Sequence, residues 1–212
     1  MNELTIDLDK MYVILLEDPH PSFGQRLSFW LTNSEFHCVA AYRFRRRLLS
    51  EVVERPILGR LGMLPARMWN RWNTHQHHCE ISAGARIGAG FLLMHRHGVM
   101  IGPASIGRNC VIHQNVTIGQ RVARGDRGVP TIGDDVWIGA GATLIGAINV
   151  GDGATIAAGT VLSRDVPAGC LVGGNPGRVL AREYDNRAML NYEVPRDSNR
   201  AGAIPPQDDP LP

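Results

Sequence analysis

Lysine is almost missing from this chain: of 22 basic residues only Lys10 is a lysine. The skew reads as a genome-composition bias. Excess charge is missing too. The formal net charge is +2, so nothing calls for a polyanionic partner such as nucleic acid. No apolar run approaches the ~20 residues needed to cross a bilayer, and no secretory pattern is present, so no membrane partner is expected. The four cysteines (Cys38, Cys79, Cys110 and Cys170) form no C-x-x-C pair. A reduced, cytoplasmic protein is the expectation.

What is present is a period of six. From Ile132 to Leu162 every sixth residue is aliphatic: Ile132, Ile138, Leu144, Val150, Ile156 and Leu162. Ile81, Ile87 and Leu93 keep the same spacing, as do Ile106, Ile112 and Ile118. Six is neither the helical period nor the alternation of a plain strand. It is the repeat of a parallel β-helix, in which each hexapeptide forms one flat side of a triangular coil. Glycine and alanine between the aliphatic positions suit the tight corners. The expected fold is mainly β: a left-handed parallel β-helix with an N-terminal α-helical domain.

Three regions follow. Residues 1–75 are rich in arginine and aromatics and poor in glycine. Ser22 and Gln25 form a capping box, and Phe23, Leu27, Trp30 and Leu31 recur at helical spacing. A second helix is expected from about Ser34 to Val53, and a short third one near Pro65 to Trp72. The "RFRRR" run, Arg43 to Arg47, reads as a solvated or intersubunit face. Residues 76–178 carry the β-helix. Its register slips by one between Leu93 and Ile106 and by two between Ile118 and Ile132. The second slip holds "GQRVARGDRGVP", a polar excursion expected to leave a corner and reach over a site, here or on a neighbouring subunit. Residues 179–212 comprise a short helix, within about 178–192, and a Pro- and Asp-rich tail from Pro195 to Pro212 that is expected to be disordered. Flat faces favour self-association, so a homotrimer or a dimer of trimers is expected.

The candidate chemistry lies where the period is disturbed. His95 and His97 stand in "LLMHRHGVMIG". A histidine near neutral pKa can act as a general base toward an alcohol, worth ~10²–10⁴ in rate, and needs a partner to fix its tautomer. Glu80, fifteen residues upstream of His95, is the candidate partner, expected on an adjacent rung of an eighteen-residue coil. His113, eighteen residues after His95, is expected to stack near it. "HQHHCE", His75 to Glu80, offers metal-binding side chains, but its spacing matches no familiar tetrahedral site, and no metal is expected. Cys110 reads as a buried structural thiol.

Four stretches go further: "EDPHPSFGQRLSFWLTNSEFHCVAAYR", "CEISAGARIGAGFLLMHRHGVMIG", "IHQNVTIG" with the loop after it, and "VGGNPGRVL". Together they resemble the serine O-acetyltransferase family of hexapeptide acyltransferases, over about Glu17 to Glu183. The resemblance implies acetyl-CoA as co-substrate, direct transfer without an acyl-enzyme, His95 as the catalytic histidine and Glu80 in place of the family's orienting aspartate. It implies that the pantetheine arm lies between neighbouring coils, near the backbone of Gly119, Ala140 and Ala158, with Arg178 toward the CoA phosphates. Asp18 and Arg127 fall on acceptor-binding positions. That family binds the next enzyme of cysteine synthesis through a C-terminal isoleucine. This chain ends in "DDPLP", which argues against that partnership.

The acceptor pocket departs from the pattern. Met94 stands where the family has an aspartate, and the loop reads Asp126-Arg127-Gly128-Val129-Pro130, without the family's histidine. An ammonium group is best bound where a carboxylate offsets its desolvation. The expected activity is O-acetylation of serine or a serine-like hydroxy amino acid, with a sugar, polysaccharide unit or specialised metabolite as the alternative acceptor. If the missing carboxylate limits ammonium binding, Met94→Asp will raise kcat/KM for serine; a wild type already efficient with serine would show that this reading of Met94 is wrong.

Overall fold

The computed structural model describes residues 2–54, 56–121 and 128–194. Four helices come first: α1 (Glu3–Leu15), α2 (Phe23–Thr32), α3 (Ser34–Glu54) and α4 (Pro56–His77). The capping box at Ser22 is present: Gln25 N–H donates to Ser22 Oγ, and Ser22 N–H donates to Gln25 Oε1. α3 begins where expected. The short helix expected at Pro65 to Trp72 is instead the 22-residue α4, with Pro65 in its interior. Gly62 is a point of close helix contact: a Cβ there would lie 2.9 Å from Leu48 Cδ2 on α3. Packing on α3 offsets the proline and glycine propensity costs. α1 went unanticipated because its buried face carries Asp7 and Lys10, which break the apolar period.

Three sheets then wind around a common interior. The first coil is β1 (Glu80–Ile81), β2 (Arg86–Ile87) and β3 (Leu92–Met94). The second is β4 (Met100–Ile101), β5 (Ser105–Ile106) and β6 (Val111–His113). The third is β7 (Thr117–Gly119), β8 (Thr131–Ile132) and β9 (Trp137–Ile138). The fourth is β10 (Thr143–Ile145), β11 (Asn149–Val150) and β12 (Thr155–Ile156). The fifth holds β13 (Val161–Leu162) and β14 (Leu171–Gly173), with Val166 bridging to Val150. Sheet 1 stacks β1, β4, β7, β10 and β13. Sheet 2 stacks β2, β5, β8 and β11. Sheet 3 stacks β3, β6, β9, β12 and β14, all parallel. The sixth-residue aliphatics lie stacked and buried in the interior, each worth about 1.5–3 kcal/mol when fully buried.

The register slips now have definite places. Leu93 to Ile101 is two residues longer than the repeat and Ile101 to Ile106 one shorter, so the net slip of one combines an insertion and a deletion. The slip between Ile118 and Ile132 falls between adjacent sides of the third coil, which makes it an eight-residue insertion at the corner between sheets 1 and 2.

α3 closes the open end of the coil. Alternate carbonyls of the first coil point away from the second coil, and α3 side chains meet them. Arg45 donates to Ile81 O, Arg46 to Ala83 O at 3.4 Å, Tyr42 to Ala85 O at 2.9 Å, and Arg43 to Ile87 O and Gly88 O at 2.5 and 2.7 Å. Arg43 also grips Asp7 of α1 through two bonds, and Asp7 accepts Phe91 N–H. The arginine run is therefore an intramolecular cap, and the expectation of a solvated or intersubunit face is wrong for Arg43 and Arg45. The reason lies in the backbone: coil carbonyls need donors, and a helix supplies them at close spacing. Lys10, fully buried, adds bonds to Gly90 O, Asn109 O and Asn109 Oδ1 at 3.0, 3.1 and 2.7 Å. Burial lowers its pKa to about 8.

The far end differs from expectation as well. Residues around 178 form a strand, β15 (Arg178–Ala181), antiparallel to β14, because the last coil offers a free strand edge. Among the described residues the helix there is α5 (Arg187–Leu190). The chain then runs back along the corner between sheets 2 and 3. Asn186 Nδ2 donates to Asp135 O (2.8 Å), Tyr192 O accepts from Asn109 Nδ2 (2.8 Å), and Val194 lies beside Gly90. The tail from Pro195 lies outside the described residues. All four cysteines are buried and unpaired, and burial pushes the Cys110 thiol up to about 12.

Removing Arg43 strands the Asp7 carboxylate and two carbonyls in a buried setting. Arg43→Ala should cost about 3–5 kcal/mol, the scale for breaking a buried ion pair, as read from the denaturant midpoint; a loss under about 1 kcal/mol would refute the cap.

Candidate active site

His95 follows β3 at the corner from sheet 3 to sheet 1. On the second coil three residues turn this corner, between His113 and Thr117; on the first coil five do, between Met94 and Met100. The two extra residues push out a small bulge. His95 adopts φ 56°, in the left-handed region, which histidine enters more readily than most non-glycine residues. His95 and His97 are exposed, and Arg96 between them is not. Arg96 reaches Glu35 of α3 and His77 of α4, each at 3.2 Å. Sequence reasoning missed this cluster because its members are far apart in the chain and no local period joins them.

Glu80 opens sheet 1 on the same coil as His95, and its ladder partner is Met100. The pair therefore flanks one corner. Among the described residues no hydrogen bond joins the exposed Glu80 carboxylate to His95, and Glu80 acts electrostatically on Arg45. A groove of about 830 Å³ between the end of α4 and the first coil has Glu80, His78, His75 and Trp72 among its lining residues; His95 is not one of them.

His113 is in register with Met94 rather than His95, because this coil is longer than eighteen residues. It still lies close enough to His95 to feel its charge. Its pKa is lowered, by burial first and by His95 second, and its ring sits 4.7 Å from that of Trp137. Met94 is half-buried against the core.

Ala140 and Ala158 occupy the same corner as His95, on the third and fourth coils. Neither N–H has a hydrogen-bond partner among the described residues, although Ala140 O accepts from Gly159 N–H. At the ~4.8 Å spacing of strands, Ala158 stands roughly 14 Å along the axis from His95. Arg178 is exposed on β15 beyond the last coil. Gly119 lies across sheet 1, at the corner from sheet 1 to sheet 2, with open space beside its Cα. Arg127 falls outside the described residues. The residues flanking its loop, Arg121 and Gly128, stand at Gly119's corner, beside Gly146 and Ala147. Asp18 sits in the link between α1 and α2, where its carboxylate accepts His20 N–H at 2.8 Å; among the described residues no bond ties it to the His95 corner. One chain thus gathers His95, Glu80, Ala140 and Ala158 on one corner and leaves Gly119 and the loop on another.

Comparison with known proteins identifies the family. Residues 130–164 match the family model for the bacterial transferase hexapeptide (six repeats). A serine acetyltransferase of Bacillus licheniformis is 36% identical over 178 residues, 83% of this chain and 78% of that protein. One of Synechococcus elongatus is 44% identical over 120 residues, 56% of this chain; the match spans about half of that relative, 49%. Among solved structures, serine acetyltransferase from Vibrio cholerae superposes with a TM-score of 0.72 at 27% identity, over 91% of this chain and 70% of that one. The enzyme of Neisseria gonorrhoeae in complex with serine gives 0.67 at 30% identity, over 84% and 68%. That of Brucella abortus in complex with coenzyme A gives 0.67 at 26%, over 84% and 66%. On these matches the chain belongs to the serine acetyltransferase family, a family of acyltransferases.

Proposed function

We propose that this protein transfers the acetyl group of acetyl-CoA to the hydroxyl of serine or a serine-like hydroxy amino acid, with His95 as general base. The observation that carries the reading is the shared corner: an exposed histidine in line with the two unpartnered amides of Ala140 and Ala158. Those amides fit the polar groups of an extended pantetheine arm, and Arg178, further along the axis, suits the CoA phosphates. The serine and coenzyme A complexes of relatives support both substrates.

When bound, acetyl-CoA supplies an activated thioester carbonyl. His95 takes the hydroxyl proton as the acceptor oxygen attacks that carbonyl, then returns a proton to the departing thiolate, so no acyl-enzyme is needed. Glu80, on the same corner, is assigned to orient the imidazole, and Asp18 and Arg127 to hold the acceptor. Met94 supports the second reading, a sugar, polysaccharide unit or specialised metabolite as acceptor, because it removes a carboxylate from the acceptor side. The unpaired cysteines suit a cytoplasmic setting.

His95→Ala should lower acetyl transfer by at least ~10², followed as free thiol release with serine, homoserine and simple sugars side by side; near-normal turnover would remove His95 from the mechanism. Because the loop root and His95 occupy different corners, the complete site is assigned to adjoining subunits of a threefold homo-oligomer. Sedimentation should then give three times the 23.2 kDa chain mass, or a multiple of it; an active monomer would overturn the shared site.

A further inference from the structure

The two extra residues at the His95 corner need something to hold them. A left-handed φ is unfavourable for a non-glycine residue and persists where neighbours over-determine it. The backbone after His95 is pinned on both sides: Gly98 N–H donates to His78 O at 2.9 Å, and Asn115 N–H to His97 O at 2.8 Å. The side chain that turns inward is Arg96, 17% exposed. Its Nη1 holds Glu35 Oε1 and its Nη2 meets His77 Nδ1, both at 3.2 Å. His77 can accept this bond in the tautomer protonated at Nε2. Burial first, and Arg96 second, lower the His77 pKa, which keeps the ring neutral and its lone pair available.

We propose that Arg96 is a positioning residue: clamped between α3 and α4, it sets the bulged corner so that its neighbour His95 presents the imidazole at a fixed place. This rests on the reading of His95 as the base. Because side chains alternate through the bulge, fixing the inward Arg96 fixes the outward aim of His95. A planar fork engages a carboxylate on one helix and an imidazole on the other through two nitrogens at a fixed spacing. The cluster is a poor stabilising device. Arg96 Nε, His77 Nε2 and His37 Nδ1 are buried without a hydrogen-bond partner among the described residues, and apolar packing would serve stability at least as well. Such unsatisfied polar clusters are expected where placement matters more than stability.

Steady-state kinetics of Arg96→Ala in the full chain test the role. The expected result is a kcat lower by about 10–100-fold, the scale of a small misplacement of a reacting group, with KM for both substrates within about twofold. Arg96→Lys should fall between, since an ammonium keeps the charge but lacks the rigid two-nitrogen fork. Should Arg96→Ala fail to fold, Glu35→Gln, which keeps the shape and weakens the clamp, is expected to lower kcat several-fold at an unchanged melting temperature. A kcat within twofold of wild type in the folded alanine variant, a loss carried by KM, or a wild-type kcat in Glu35→Gln would overturn the proposal. An inactive His95→Ala beside a normal Arg96→Ala refutes the positioning role alone; an active His95→Ala refutes the base assignment.

Discussion

The structure depends on how the first coil is finished. A parallel β-helix satisfies its backbone from coil to coil, so its first coil faces outward with unmatched carbonyls and amides, an edge that invites pairing with other chains. Here α3 supplies donors to those carbonyls from Arg43, Arg45, Arg46 and Tyr42, and α1 supplies Asp7 and Lys10. The helical region is thus the terminal cap that a solenoid requires: polar side chains meet the backbone edge, and Met11, Val39 and Tyr42 extend the coil's apolar core. Its cations are the feature that composition alone would assign to a charged surface.

The cap also bears on the chemistry. The bulge with His95 belongs to the first coil, whose β3 packs against α1 and α3. A regular stack presents the same backbone at each level and has no means of making one corner unlike the rest. The two-residue insertion makes that difference, and the helices lend it rigidity through Arg96. The other large departure, between Ile118 and Ile132, stands at a different corner. The candidate site is therefore divided along the chain and across the triangle, and the proposal of a site shared between copies rests on that division.

Much of this was legible in the sequence. The six-residue period located the interior positions, since side chains stacked on one axis must repeat with the backbone. The capping box at Ser22 and the start of α3 were legible because their signals are local. α1 and the full length of α4 were not: one hides charged residues on its buried face, and the other holds Gly62 and Pro65, whose costs tertiary contacts override. The arginine run was misread for a related reason, since its partners are backbone carbonyls tens of residues away. Within the site, His95 was marked by the broken register, whereas the Arg96 cluster left no trace in any local pattern. The spacing argument for His113 was off by one because the coils differ in length.

The returning segment from Asn186 to Val194 has its own consequence. Stacked repeats, each touching only its neighbours, tend to fray from the ends one level at a time. In this chain residues that follow the last coil bond to the third coil at Asp135 and the second at Asn109, and end beside the first at Gly90. Fraying at either end must then peel away a strip shared with the opposite end. A linear series of weakly independent units becomes a closed circuit, which should unfold as one cooperative unit and keep the level bearing His95 ordered while any of the stack survives.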